Sequence, residues 1–380
     1  MNRFLLVVFL PLLVAGCSVL DALNPFSGSG PKMAELRAIE TTAEARVQWQ
    51  ESVGRSDDNA FTPAVVGSSV YAAAGDGTIM RLDDGQPVWR VKAEQRLSGG
   101  VGADGRLVAV GTAKGDLLAF DAADGKLLWK SRASSEIISP PAVGASIVVV
   151  RSGDHRLAAY DIVDGKRKWI YQRPATPLSL RVTASPLIVE RYVFVGFPGG
   201  KLLAVSADNG APLWEGTVAL PKGATELDRV ADVTSVPVID GRMICAAAFQ
   251  GRVSCFDLGN GNLIWGRDIS SAAGLSIDSR YVYVTDDKGA VHALDKASGA
   301  SIWKQDRLFL RKLTAPLVRR NLVVVGDVQG VVHFLSRDDG SFAARLNTDG
   351  SPIQAPLRPF GSNALVVQTR NGRVLAIEAQ

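Results

Sequence analysis

Few residues of this 380-residue chain have the type and spacing that chemistry needs. Cys17 ends the stretch Leu13-Val14-Ala15-Gly16-Cys17, which follows Arg3 and an apolar run. This is the pattern of a secretory signal with its cleavage site, too short for a spanning helix. Cys245 and Cys255 flank AAAFQGRVS and meet across a hairpin, opposite each other or one residue out of register. An oxidising compartment permits a disulfide there, but cross-strand geometry is often strained, so two buried thiols are the favoured expectation. His155 stands alone, whereas His292 and His333 fall at equivalent places of successive sequence units, and each is expected to be solvated or singly hydrogen-bonded. Gly100, Gly102 and Gly105 in GVGADG match a dinucleotide-binding pattern, but RLVAVGTAKGDLLAFD after them is a hairpin, not a helix start. The sequence has no Cys-Cys pair, no C-x-x-C-H, no metal-ligand spacing and no nucleophile with a base. The expectation is a non-enzymatic protein without metal or cofactor. The 42 basic and 38 acidic residues are scattered, and no basic run is long enough for a nucleic-acid track.

Strand and turn signals fill the remainder. The chain has 7 tryptophans: Trp49, Trp89, Trp129, Trp169, Trp214, Trp265 and Trp303. The last six each follow a glycine four residues earlier, Gly85, Gly125, Gly165, Gly210, Gly261 and Gly299, while Gly340 is followed by Ala344 instead. A second glycine precedes the acidic turn residue by six positions in nearly every unit, for example Gly115 before Asp121 and Gly289 before Asp295. Only His155, ahead of Asp161, breaks that rule. A period near 40 residues repeated through the chain marks a repeat architecture. Each unit holds four short strands. Its turn uses Asp to bond nearby N–H groups and Gly to supply positive φ, and its Trp offers an apolar face to the next unit. One such sheet cannot bury both faces, but a radial array can.

The predicted fold is therefore all-β, an eight-bladed propeller with four-stranded blades. The last unit ends at Gln380 without a fourth strand, and Val47–Glu51, around Trp49, precedes the first full unit. That N-terminal strand is expected to close the ring and remove an open edge. The predicted organisation is a signal over 1–16, lipidated Cys17 and a Pro/Gly/Ser-containing tether over 17–44, and a propeller over 45–380.

The A-x-D-x-x-x-G-x-x-x-W blade signature resembles the tryptophan-docking repeat of quinoprotein (PQQ) alcohol dehydrogenases. The Leu13–Cys17 stretch resembles the lipobox of bacterial lipoproteins, which implies a lipid on Cys17. With Ser18 in place of an Asp, the resemblance implies outer-membrane sorting. Together with the length, these features are similar to the BamB family, lipoprotein propellers of the outer-membrane β-barrel assembly machinery. That resemblance implies a scaffold facing the periplasm that binds the POTRA domains of BamA. It also implies help with assembly and insertion of barrel proteins, and leaves unfolded outer-membrane proteins open as partners through strand addition. The alternative, a periplasmic quinoprotein-like dehydrogenase relative, lacks the vicinal cysteines and the insertions of those enzymes. A polysaccharide binder would need aromatic platforms, and the tryptophans already serve blade packing.

Two connections between blades are longer than the rest, IYQRPATPLSLRVTAS after Trp169 and EGTVALPKGATELDRVADVTS after Trp214. Four-stranded connectivity puts both on one face as neighbours, and long loops in a compact domain are usually functional. They carry Leu178, Leu180, Leu220, Arg181, Asp228, Arg229 and Asp232, apolar tips rimmed by charge. PLSLR and ELDRVADV look like the family segments that dock on BamA, with Leu178, Leu180, Arg181 and Asp232 at matching positions and Thr234 in place of a second Asp. The expectation is that Leu180 and Arg181 anchor a partner, Leu178 packs beside them, and Asp232 pairs with a basic group on it.

Overall fold

The computed structural model describes residues 31–174 and 178–380. Cys17 and the signal lie outside the described residues, and the compact body is Ala34–Gln380. Its strands form eight four-stranded antiparallel sheets, with no helix among the described residues. Blades 1 to 8 span 64–92, 99–132, 142–171, 187–217, 238–267, 274–305, 317–347 and 358–379, and Ala45–Ser52 adds the outer strand of blade 8. The eight-bladed propeller expected from the repeat is what forms.

Strand composition follows position in the ring. A second strand such as Leu322–Gly326 (LVVVG) is buried throughout because sheets cover both of its faces. An outer strand such as Ser301–Gln305 (SIWKQ) fully buries only its tryptophan. Accordingly the core is not central. It is divided into layers between neighbouring blades, for example Tyr71, Ile79 and Trp89 of blade 1 against Val108, Leu118 and Phe120 of blade 2.

Seven of the eight layers are fastened in one way. The Trp of one blade lies flat on the turn glycine of the next, so a Cβ on Gly125 would stand 2.9 Å from Trp89 and one on Gly261 would stand 2.6 Å from Trp214. These glycines also hold positive φ, +74° and +73°. The indole then donates to the same turn: Trp89 Nε1 to Ala122 O at 3.0 Å and Trp265 Nε1 to Lys296 O at 2.8 Å. Asp121 shapes that turn by accepting from Ala123 N at 2.7 Å.

Closure also follows the expected route. Strand Ala45–Ser52 pairs antiparallel with Arg373–Ala379, from Ala45 opposite Ala379 to Ser52 opposite Arg373, with one bulge. Arg46 and Gln48 both donate to the Glu378 carboxylate, at 3.0 and 3.1 Å. Trp49 reaches Gly85 of blade 1 and completes the cycle, although its indole N–H finds no acceptor.

Within the stretch read as a tether, residues 34–44 are ordered. They form a strap across the outer edge of blade 7: Ala34 N donates to Phe309 O at 2.9 Å, and Thr42 and Ala43 N both donate to Ala343 O. Leu36 and Ile39 pack against the layer between blades 6 and 7, and Ala43 and Ala45 against the layer between blades 7 and 8. The reason lies at Ala344. In blade 8 no turn joins Arg373–Ala379 to the outer strand Ala45–Ser52, so a tryptophan there would have nothing to dock on, and Ala43 and Ala45 cover that seam instead.

Deleting residues 45–51 strips blade 8 of its outer strand and Gly85 of its indole. Loss of a fully buried Trp costs about 3–5 kcal/mol; half-buried Trp49 gives less than that, and the opened sheet edge adds to it. Thermal melting of the deletion variant should show a large fall in Tm; a wild-type Tm would overturn this closure.

Candidate functional site

In each blade, the connection from the outer strand to the next blade emerges on the same face as the turn between second and third strands. The two long connections lie on that face, after Arg167–Tyr171 and after Pro212–Thr217. They touch. Asp232 Oδ2 accepts from Leu180 N at 2.6 Å, and its Oδ1 accepts from Gly199 N at 3.2 Å. Arg181 grips Glu136, on the preceding blade junction, through Nε–Oε1 at 3.1 Å and Nη2–Oε2 at 2.6 Å. Three consecutive junctions are thus tied into one platform.

The predicted residues divide into those that face solvent and those that hold the platform. Leu178 is 43% exposed, Leu220 62% and Leu227 69%. Leu180 is half-buried and Arg181 exposed. Asp228 and Arg229 are exposed at a turn of their own: Asp228 N donates to Thr225 Oγ1 and Thr225 N to Asp228 Oδ2, both at 3.1 Å. Those bonds from Thr225 hold the Asp228 carboxyl below its ordinary range. Arg229 Nε donates to Gly223 O at 3.1 Å. Asp232 requires a correction. It is 1% exposed and its carboxylate is taken up by two backbone N–H groups of its own chain, so it is not free to pair with a partner's basic group. Thr234 donates to Ser271 O at 2.7 Å, within the fold.

Behind the platform lie groups that sequence reasoning did not single out. Arg151 is 4% exposed, with its guanidinium 5.8 Å from the Phe197 ring. Burial lowers its pKa to about 10, against the opposing pull of Asp232. His155 Nε2 lies 2.7 Å from Ser179 Oγ. Glu136 left no signal in the sequence; His155 left one, the broken glycine rule.

The remaining candidate chemistry resolves into structure. Cys245 and Cys255 are directly opposed in the register of strands Met243–Ala247 and Val253–Asp257 and form a disulfide, not the two free thiols expected. Both side chains are fully buried, and the in-register pairing brings the sulfurs together. His292 and His333 do not meet; each bonds an aspartate of its own blade, Asp286 and Asp327, with Nε2···Oδ2 at 2.9 Å in both. GVGADG contributes strand Gly99–Ala103, followed by strand Leu107–Gly111. Among the described residues, no group of three or more His, Cys, Asp and Glu is placed to hold a metal. A central channel of about 320 Å³ is lined by alanines, prolines and threonines, with Arg358 as the only charged residue among the described ones. A calcium–quinone site would need carboxylate oxygens there, and that lining supplies none.

A sequence profile described as "Outer membrane protein assembly factor BamB" matches residues 75–305. The outer membrane protein assembly factor BamB of Bordetella pertussis is 43% identical over 371 residues, 97% of this chain and 95% of its own. This chain belongs to the BamB family. The BamB of Pseudomonas aeruginosa is 44% identical over 358 residues, covering 92% of each chain. The crystal structure of BamB from Moraxella catarrhalis superposes with a TM-score of 0.82 at 27% identity, covering 88% of this chain and all of that one. A quinohemoprotein alcohol dehydrogenase from Comamonas testosteroni has a TM-score of 0.70 at 15% identity, which shows a shared fold alone.

Two measurements follow from the buried groups. Unfolded without reductant, the protein should show no free thiol at Cys245 and Cys255, and two more thiols after reduction; reduction should cost about 2–3 kcal/mol by loop-closure entropy. The second concerns His333, which is fully buried, and burial holds its pKa below the ordinary range despite the bond to Asp327. The native state then stays unprotonated while the unfolded chain binds a proton below about pH 6.5. Stability contributed by neutral His333 is present above that pH and is lost as pH falls through its lowered native pKa. Melting curves of His333→Gln from pH 7 to 5 should show a smaller decline than wild type; an equal decline would remove His333 as a cause.

Proposed function

We propose that this protein is an outer-membrane lipoprotein, anchored through Cys17 and facing the periplasm, that serves the β-barrel assembly machinery as a non-enzymatic scaffold. Its partner is the POTRA region of BamA, and its task is to assist assembly and insertion of barrel proteins. The observation that carries the reading is the platform of three tied junctions. The ties through Asp232 and Glu136 fix loops that would otherwise lose conformational entropy on binding. Leu178, Leu220 and Leu227 stand in solvent within a charged rim, a costly arrangement on a monomer but a common one at an interface.

Roles divide accordingly. Leu180 and Arg181 anchor the partner, with Leu178 beside them and Asp228 and Arg229 on the rim. Asp232 acts through Leu180, whose backbone it fixes, and Glu136 sets the direction of the Arg181 guanidinium. An arginine already aligned by a carboxylate loses less freedom when a partner engages its remaining donors.

Replacing Leu180 and Arg181 together by Ala should abolish co-purification of BamA from detergent-solubilised outer membrane. Both side chains lie outside the blade layers, so Tm should change little. Full recovery of BamA with the double variant would overturn the assignment.

A further inference from the structure

His155 occupies a position where the repeat otherwise asks for glycine, and two constraints explain the glycine. The residue sits in the left-handed region, with φ of +99° at Gly77, +84° at Gly115, +88° at Gly289 and +87° at Gly372. It also lies under the next junction. A Cβ would stand 2.7 Å from Ala93 O at Gly77, 2.6 Å from Ser135 O at Gly115, 2.1 Å from Ala219 O at Gly200 and 2.4 Å from Leu308 O at Gly289. Blade 3 keeps the first constraint, since His155 has φ +62°. The second does not bar a side chain here: the imidazole is accommodated, with Nε2 2.7 Å from Ser179 Oγ. Histidine in this conformation costs stability that glycine would not.

The imidazole bridges the blade to the loop. Arg151 Nη2 lies 3.5 Å from Nδ1, and a guanidinium can only donate, so Nδ1 is the accepting nitrogen. Nε2 then carries the proton and donates to Ser179 Oγ at 2.7 Å. Ser179 is flanked by Leu178 and Leu180, and Asp232 holds the Leu180 N–H. The loop is therefore gripped at successive residues from two sides, by blade 3 through His155 and by the next junction through Asp232.

We propose that His155 is a positioning residue for partner binding: it holds Ser179 so that Leu178, Leu180 and Arg181 are presented in one fixed arrangement. This rests on the reading of those three residues as the partner contact. The strained imidazole is kept in place of glycine because the segment it orders gains affinity by being fixed in advance.

The test uses the full-length lipidated protein carrying His155→Gly. Glycine suits the backbone, so Tm should equal or exceed wild type. Amide exchange over residues 178–182 should accelerate, and affinity for the isolated POTRA region of BamA should fall about tenfold, the order expected from losing ~1.4 kcal/mol of loop ordering. Ser179→Ala should reproduce the affinity loss, and the two changes combined should lose no more than either alone. Wild-type affinity in His155→Gly, beside lost affinity in the Leu180/Arg181 double variant, would overturn the positioning role and leave the partner face standing. Wild-type affinity in that double variant would instead overturn the partner face, and with it this role. An affinity loss in His155→Gly that comes with a lower Tm, and that Ser179→Ala does not reproduce, would place His155 in the blade fold and also overturn the proposal.

Discussion

Seven of the eight blade interfaces depend on an indole lying against a residue without a side chain. A tryptophan ring can reach the neighbouring turn only if that turn has no Cβ and takes a left-handed bend, and glycine satisfies both demands at once. In six of the seven the indole N–H then finds a carbonyl of the same turn, so the large apolar area is buried without an orphaned donor. Spacing from glycine to tryptophan within one unit sets the docking between two units. That is why a local sequence period produces a ring.

The places where this interaction is missing or incomplete explain the irregular parts of the structure. Ala344 has no turn to dock on because none joins Arg373–Ala379 to the outer strand of blade 8; Ala43 and Ala45 lie over that seam, and the strap's Leu36 and Ile39 over the layer before it. Behind the strap, Arg311 donates to Asp327 Oδ2 and to Ala34 O, at 2.6 and 3.0 Å, while His333 bonds the same carboxylate. A buried cation and a buried aspartate are tolerated there because each is paired and hydrogen-bonded. At the closure, Trp49 docks on Gly85 at the usual sequence distance, but its strand pairs with Arg373–Ala379 from the far end of the chain, and its indole N–H is left without an acceptor.

The platform of tied junctions arises from a different departure. The junctions press onto the glycine beneath them, and the long one after Trp214 does so too, with Ala219 O over Gly200. Beyond that point the added length of the two long junctions makes contacts that the short ones lack: Asp232 to Leu180, Arg181 to Glu136, His155 to Ser179. The rigid frame comes from the repeat, and the specific surface comes from breaking it.

Blade number, strand order and ring closure were legible because they depend on a local rule: glycine four residues before tryptophan, repeated, with one unit short at the end and one strand spare at the start. The two long loops and their shared face were legible for the same reason, since four-stranded connectivity leaves one face for them. The roles within those loops were not. Asp232 has the look of a surface acid in sequence, and only packing shows that Leu180 N and Gly199 N occupy it. Glu136 and Arg181 are far apart in the chain, and nothing in their spacing announces an ion pair. Cys245 and Cys255 turned on a single residue of hairpin register, which the turn sequence leaves open and the pairing of the two strands decides. Local conformational demands are written in residue type and spacing, whereas the partner of a polar side chain depends on which distant backbone the fold brings beside it.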